Sequence, residues 1–158
     1  MKDITPMALP NIFSQPVVDD TIQRINTLRS DTPAQWGKMN VSQMLAHCCV
    51  TYEMVYEDKH PKPGALMKLI LKLLAKNKVV GEAPFKQGGP TAPAFIIKEQ
   101  KDFEVEKGRL IAFIQKTQQL GEAQFDGKES HSFGILNKTE WNNMFYKHLN
   151  HHLTQFGA

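Results

Sequence analysis

The stretch that decides the fold is Asn40-Val-Ser-Gln-Met-Leu-Ala-His-Cys-Cys-Val-Thr-Tyr-Glu-Met-Val-Tyr56. Asn40 is suited to cap a helix that begins at Val41 and ends near residue 58, where a proline-containing breaker follows. No charged residue occurs between residues 44 and 52, so this helix is expected to be buried on more than one side, as a central helix of a bundle is. His47 lies inside that uncharged stretch.

Three further long helices are predicted around this one. Apolar residues at three- and four-residue spacing predict a first helix over about 16–30 and a third over about 101–121. The last helix is expected over about 137–156, because Asn137 and Glu140 have the spacing of a capping box.

The connection between the second and third long helices is also expected to carry structure. A tight leucine-rich stripe predicts a short amphipathic helix over 64–77, and 79–101 is expected to be mostly irregular. The predicted fold is therefore all-α, a four-helix bundle with a short extra helix in the long connection between helices 2 and 3, in a single domain spanning residues 1–158.

Composition excludes several classes of protein. Apolar residues make up 41% and charged residues 22% of the 158-residue chain, which is typical of soluble globular proteins. The net charge of +3 is small and the lysines are dispersed, so nucleic acid is not expected as a partner. No segment resembles a signal peptide or a membrane span, so a cytoplasmic location is expected. Cys48 and Cys49 are adjacent and are expected to be buried apolar side chains rather than ligands.

Two histidines of the last helix are predicted to face the core. On a helical wheel at about 100° per residue, His148 and His152 fall in the arc of Trp141 and Phe145, whereas His151 falls at its margin. A buried polar group without a partner costs roughly 1 to 3 kcal/mol, so a shared metal ion or a set of hydrogen bonds is needed. His47 is expected to be buried from its neighbours, but periodicity alone does not bring it to the other two.

The segments Met39-Asn-Val-Ser-Gln-Met-Leu-Ala-His47 and His148-Leu-Asn-His-His-Leu-Thr-Gln155 resemble the two signature segments of the DinB/YfiT-like superfamily. The resemblance implies a four-helix bundle with one histidine on the second helix and an HxxxH pair on the last. It also implies that His47, His148 and His152 hold one divalent metal ion, and three neutral imidazoles favour a borderline ion such as zinc or nickel. The commoner ending of the motif has Arg-Gly where this chain has Leu153 and Thr154, and this departure leaves the chemistry open. The stretch Ser132-Phe-Gly-Ile-Leu-Asn-Lys-Thr-Glu-Trp141 resembles an uncharacterised branch of the superfamily.

The resemblance implies an enzyme acting on a small-molecule substrate. A three-histidine site leaves a coordination position open and can activate water or a thiol at neutral pH. The implied reaction is metal-assisted transfer of a low-molecular-weight thiol to a small electrophile, or hydrolysis of that electrophile. His151 and His131 are expected to take a proton-transfer or outer-sphere role; the alternative is that both are surface histidines.

Two other functions stay open. The chain could be a non-catalytic helical module that binds a metal or small ligand, or a metal-free interaction protein. In the latter case Lys68, Lys72 and Lys76 would dock the short helix on an anionic membrane or a partner helix, although a solvated outer face explains these lysines equally well. Trp141 could line a pocket or lie in the core. Homodimerisation is expected by analogy with related bundles.

Overall fold

A computed structural model describes residues 9–158 of the chain. The chain is mostly helical and contains one small antiparallel hairpin. In chain order the elements are α1 (Gln15–Thr27), α2 (Val41–Tyr56), α3 (Ala65–Leu74), α4 (Lys76–Val80), a single 3-10 turn (Pro93–Phe95), α5 (Phe103–Leu120), α6 (Glu122–Phe125), β1 (Lys128–Ser130), β2 (Gly134–Leu136) and α7 (Lys138–Gln155).

The boundaries of the long helices follow from local side-chain chemistry. Asn40 accepts a hydrogen bond from the backbone N–H of Gln43, whose own side chain accepts from the backbone N–H of Asn40, and Asn137 and Glu140 form the same capping box at α7. These bonds satisfy backbone donors that a helix start leaves free. Helix α5 ends at Gly121, which has a φ of +81°. Other residues adopt this φ only with strain. The predicted caps are confirmed.

The four long helices form the body of the molecule. α2 packs mainly against α5 and α7, and α1 packs against the same two helices, an arrangement compatible with a helical bundle. Tyr52 stacks between Phe113 and Phe145 at the centre. Trp141 is buried beside Phe125 and Phe145, so it belongs to the core rather than to a pocket.

The two cysteines behave as predicted. Cys48 and Cys49 are buried and unbridged, and burial raises the pKa of both thiols, that of Cys49 to about 12. A thiol with so high a pKa is protonated at neutral pH and is a poor nucleophile or ligand.

Two predictions of secondary structure are wrong. The chain is not entirely helical as predicted, because β1 and β2 pair between the third and the last long helices. This hairpin is so short that its apolar alternation carries almost no signal. The helix predicted over 64–77 is two helices, α3 and α4, separated by a turn at Ala75.

Lys72 is exposed, as a solvated outer face predicts, but Lys68 and Lys76 are placed differently. Lys68 pairs with Glu129 and Lys76 pairs with Glu140, and both lysines are only partly exposed. In the part of the chain that is described, no helix is both long enough and apolar enough to cross a membrane.

Candidate metal centre

Three histidines from two helices meet inside the body of the molecule. His47 of α2 faces His148 and His152 of α7, and their ring centroids are 4.4 to 4.9 Å apart. One ring nitrogen from each lies within 4.8 Å of the others, and His47 and His152 are buried while His148 is partly exposed. The two histidines of α7 are one turn apart, which places both rings on the side of the helix that α2 covers.

His47 is oriented by the irregular segment that follows α4. Its Nδ1 lies 2.8 Å from the backbone oxygen of Phe95, in the 3-10 turn. A carbonyl oxygen can only accept a hydrogen bond, so Nδ1 carries the proton. In the neutral ring Nε2 therefore carries a lone pair and no proton. This Nε2 atom lies 2.9 Å from Nε2 of His148.

His152 is oriented by a hydrogen-bond chain through Gln155. Its Nδ1 lies 2.7 Å from Oε1 of Gln155, and Nε2 of that amide donates to the backbone oxygen of Trp36 at 2.8 Å. The Trp36 contact fixes which end of the amide is the oxygen, so Nδ1 of His152 is the donor. Its Nε2 is then the nitrogen that carries a lone pair.

The ring of His148 can adopt two hydrogen-bond arrangements. Its Nδ1 lies 3.2 Å from Oγ1 of Thr51, a hydroxyl that can accept or donate. With a metal ion bound, Nδ1–H donates to Thr51 and Nε2 is a ligand; without one, Nε2–H can donate to His47 and Thr51 donates to Nδ1. The geometry around His148 therefore fits either a ligand or a hydrogen-bonded histidine.

All three rings are held in the neutral form that metal ligation requires. Burial lowers the pKa of His47, although its hydrogen bond to Phe95 opposes the shift. Burial and repulsion from the neighbouring histidines lower the pKa of His148 well below its ordinary value. Burial and repulsion from His47 lower the pKa of His152 to about 3 against the opposing bond from Gln155.

The donor set fits a first-row divalent ion. Neutral imidazoles with a hydrogen bond to the second ring nitrogen are the usual histidine ligands of zinc and related metals. Two nitrogens on one tetrahedral zinc ion are about 3.4 Å apart. The His47–His148 pair, at 2.9 Å, would therefore open slightly, and a pair near the 4.8 Å limit would close by more than 1 Å. The three histidines could therefore hold a metal ion once their rings move by these distances.

A cleft of about 410 Å³ is lined by His151, whose ring packs against that of His152. Trp36, Phe85 and Tyr146 give it aromatic walls. Lys147 holds one wall in place, because its Nζ donates to the backbone oxygens of Lys78 and Ala83 and lies 4.6 Å from the Phe85 ring centroid.

His151 connects this cleft to the histidine cluster. Its ring packs edge-on against Trp36 and Phe85 in the cleft, at centroid distances of 5.6 and 5.7 Å, and against His152 at 5.0 Å. The three clustered histidines themselves do not line the cleft. His151 thus lies where an outer-sphere residue would, and its role stays a prediction.

His131 is in a different place. It lies in the turn between β1 and β2, where Nδ1 contacts Oγ of Ser132 and Nε2 donates to the backbone oxygen of His60, beyond the C-terminal end of α2. Among the contacts of residues 9–158, none joins it to the histidine cluster or the cleft. The structure gives no support to a role for His131 at this site.

The outer partners of the histidines were not predicted. Thr51 is four residues after His47 and Gln155 is three residues after His152, so helical spacing could have suggested both. No such signal exists for Phe95, because its backbone oxygen is brought to His47 by the path of an irregular segment.

Comparisons with known proteins bear on the identity of the chain. Neither curated proteins nor solved structures gave a match. One family model matches residues 10–158, nearly the whole chain. The chain belongs to the family described as a protein of unknown function, DUF1569.

Proposed function

We propose that this protein is a metal-dependent enzyme of the DinB/YfiT-like kind, in which His47, His148 and His152 hold one zinc or nickel ion. The observation that carries the proposal is the arrangement of the ring nitrogens. The Nδ1 atoms of His47 and His152 are bound by acceptors, so their lone pairs are directed to the space they share with His148. Converging lone pairs repel one another unless a cation or a donated proton lies between them, and a metal ion can accept all three at once.

A catalytic site is favoured over a structural one by the number of ligands. Structural zinc sites are closed by four protein ligands, whereas catalytic sites have three and an open position. Within residues 9–158, the cluster consists of three histidines and includes neither cysteine nor carboxylate. When bound, the ion would supply a Lewis acid that turns water or a thiol into a nucleophile at neutral pH.

The cleft suggests the kind of substrate. Its volume and aromatic walls suit a small molecule with an apolar part, and the finer proposal is transfer of a low-molecular-weight thiol to such an electrophile, or its hydrolysis. We also propose that His151, whose ring contacts both the cleft residues and His152, exchanges a proton between them. The second candidate function, a non-catalytic metal or ligand module, rests on the metal-free hydrogen bond that His148 can make to His47.

Elemental analysis of untagged protein tests the first step. We expect close to one zinc or nickel per chain, lost in both His148→Ala and His152→Ala. His131→Ala is the matched control, since this histidine is bonded elsewhere, and it should retain the metal. Full metal content in His152→Ala, or none in the unaltered protein after reloading, would contradict the ligand assignment.

A substrate screen then separates the two functions. Loaded protein is assayed with low-molecular-weight thiols and small electrophiles, beside His151→Ala. Metal-dependent turnover that falls in His151→Ala while metal content is unchanged supports the enzyme. If the protein binds one metal ion per chain but neither transfers a thiol to any electrophile nor hydrolyses one, the result supports the binding module.

A further inference from the structure

Helix α3 is amphipathic, but its apolar side faces outward. The side of α3 that carries Lys68 and Leu71 is turned toward the rest of the protein, and Lys68 forms an ion pair with Glu129. The helix packs chiefly against α4 and has no buried residue. Six large apolar side chains are 39 to 73% exposed instead: Leu66, Met67, Leu69, Ile70, Leu73 and Leu74. We call these six the α3 apolar face.

An apolar surface of this kind needs an explanation. Isolated exposed leucines are normal, but a contiguous apolar patch usually marks a place where another surface binds. On a wheel at about 100° per residue the six side chains cover roughly 160°. They therefore form one continuous face rather than scattered positions.

The charge around this face indicates what covers it. From Lys59 to Gly81 the chain has six lysines and no aspartate or glutamate. Lys62, Lys72 and Lys78 are exposed and make no ion pair within the described residues. Lys72 lies one turn after Lys68 in α3, at the edge of the α3 apolar face. The surface thus combines apolar side chains with free positive charge.

We propose that α3 docks the protein on an anionic phospholipid bilayer, with the α3 apolar face in the interfacial region and the three free lysines on lipid phosphates. An interfacial helix has this combination of a broad apolar face and flanking lysines. A second copy of the chain fits less well, because two such faces in contact would bring six unpaired lysines together and repel one another. Charge complementarity therefore selects the anionic surface.

Co-sedimentation with vesicles tests the proposal on the full chain. We expect binding to vesicles of phosphatidylglycerol and phosphatidylcholine, and at least tenfold weaker binding to phosphatidylcholine alone. The double variant Leu69→Glu/Leu73→Glu should lose binding by at least tenfold. The control Val105→Glu/Leu120→Glu introduces the same charges at two exposed apolar positions on α5 and should bind as the unaltered protein does.

A second variant separates the two components of the surface. Lys62→Gln/Lys72→Gln/Lys78→Gln should reduce binding to the anionic vesicles severalfold and remove its sensitivity to salt. All variants change exposed residues, and their melting temperatures verify that they fold. No binding to anionic vesicles, equal binding to both lipids, or equal loss in the control would overturn the proposal. So would sedimentation equilibrium showing a dimer that Leu69→Glu/Leu73→Glu dissociates, because a second copy would then cover the face.

Discussion

Gly37 lies against the hydrogen-bond chain that orients His152. Its φ is +84°, and a Cβ added there would lie 2.6 Å from Nε2 of Gln155, the atom that donates to the backbone oxygen of Trp36. A side chain at this position must displace the amide. The partner of His152 would then be lost even though all three histidines remain.

We therefore predict that Gly37→Ala lowers metal affinity by about tenfold or more, within the range found when an outer partner of a ligand is removed. Gly88→Ala is the matched control, because Gly88 also has a positive φ, +67°, but open space where its Cβ would lie. Both variants place an alanine in the left-handed region of φ and so strain the backbone, but only Gly37→Ala displaces Gln155. Competition with a chromophoric chelator measures the affinities; equal values for the two variants would show that Gln155 does not orient the site.

Sequence periodicity predicted one part of the candidate metal site but not the rest. The wheel placed His148 and His152 on the core side of α7, and the two rings do lie together there. The position of His47 beside them depends on how α2 and α7 pack. That packing is a tertiary property that periodicity within α2 does not contain, and the expectation came from the family resemblance. The 3-10 turn at Phe95 depends on the path of a whole connection, which no local pattern specifies.

At the scale of elements, α2 and α5 are joined by a buried ionic network as well as by apolar packing. Arg109 of α5 binds both Glu53 of α2 and Glu106 of its own helix, and Nε2 of His60 lies 2.7 Å from Glu53. Burial alone raises the pKa of Glu53, but the hydrogen bonds from His60 and Arg109 and the charge of Lys59 outweigh it and hold the pKa below its ordinary value of 4.5. The folded protein therefore stabilises the ionised form of Glu53 more than the unfolded chain does.

This shift predicts how stability depends on pH. A carboxyl whose pKa is lower in the folded state stabilises the protein above its unfolded pKa, and loses that effect as pH falls through the folded value. Glu53→Gln should cost about 2 kcal/mol at pH 6, somewhat less than the 3 to 5 kcal/mol of a fully broken buried pair, and the difference from the unaltered protein should shrink toward pH 3. Urea denaturation at several pH values measures it. Glu99→Gln, in an exposed pair with Lys101, should have almost no effect, and a pH-independent cost at Glu53 would contradict the assignment.

Elements differed in how well the sequence predicted them. The long helices were predicted to within a few residues, because all four have sustained apolar spacing and α2 and α7 also begin at a capping box. The same spacing identified α3 as amphipathic but not which way it faces. The ion pairs of Lys68 and Lys76 with distant glutamates decide that orientation, and such pairs are visible only in three dimensions. The hairpin was missed because three-residue strands have no measurable period.

At the scale of the whole molecule, the histidine cluster is a point where distant parts of the chain are joined. It connects α2 to α7 directly, and through hydrogen bonds it reaches the 3-10 turn by Phe95 and the loop before α2 by Trp36. A ligand that binds these groups only when they are assembled stabilises the folded state by mass action. The proposed metal should therefore stabilise the fold as a whole rather than one loop.

We predict that stripping the metal with a chelator lowers the melting temperature, and that adding zinc or nickel at a hundred times its dissociation constant restores roughly 2.7 kcal/mol of stability. His47→Ala should melt close to the stripped protein and gain nothing from added metal, because one of the three converging nitrogens is gone. Lys138→Ala, which removes only an exposed pair with Glu122, should gain as much as the unaltered chain. Calorimetry of the three proteins with and without metal makes the comparison. An equal gain in His47→Ala would mean that the ion binds elsewhere and that the histidines are joined by hydrogen bonds alone.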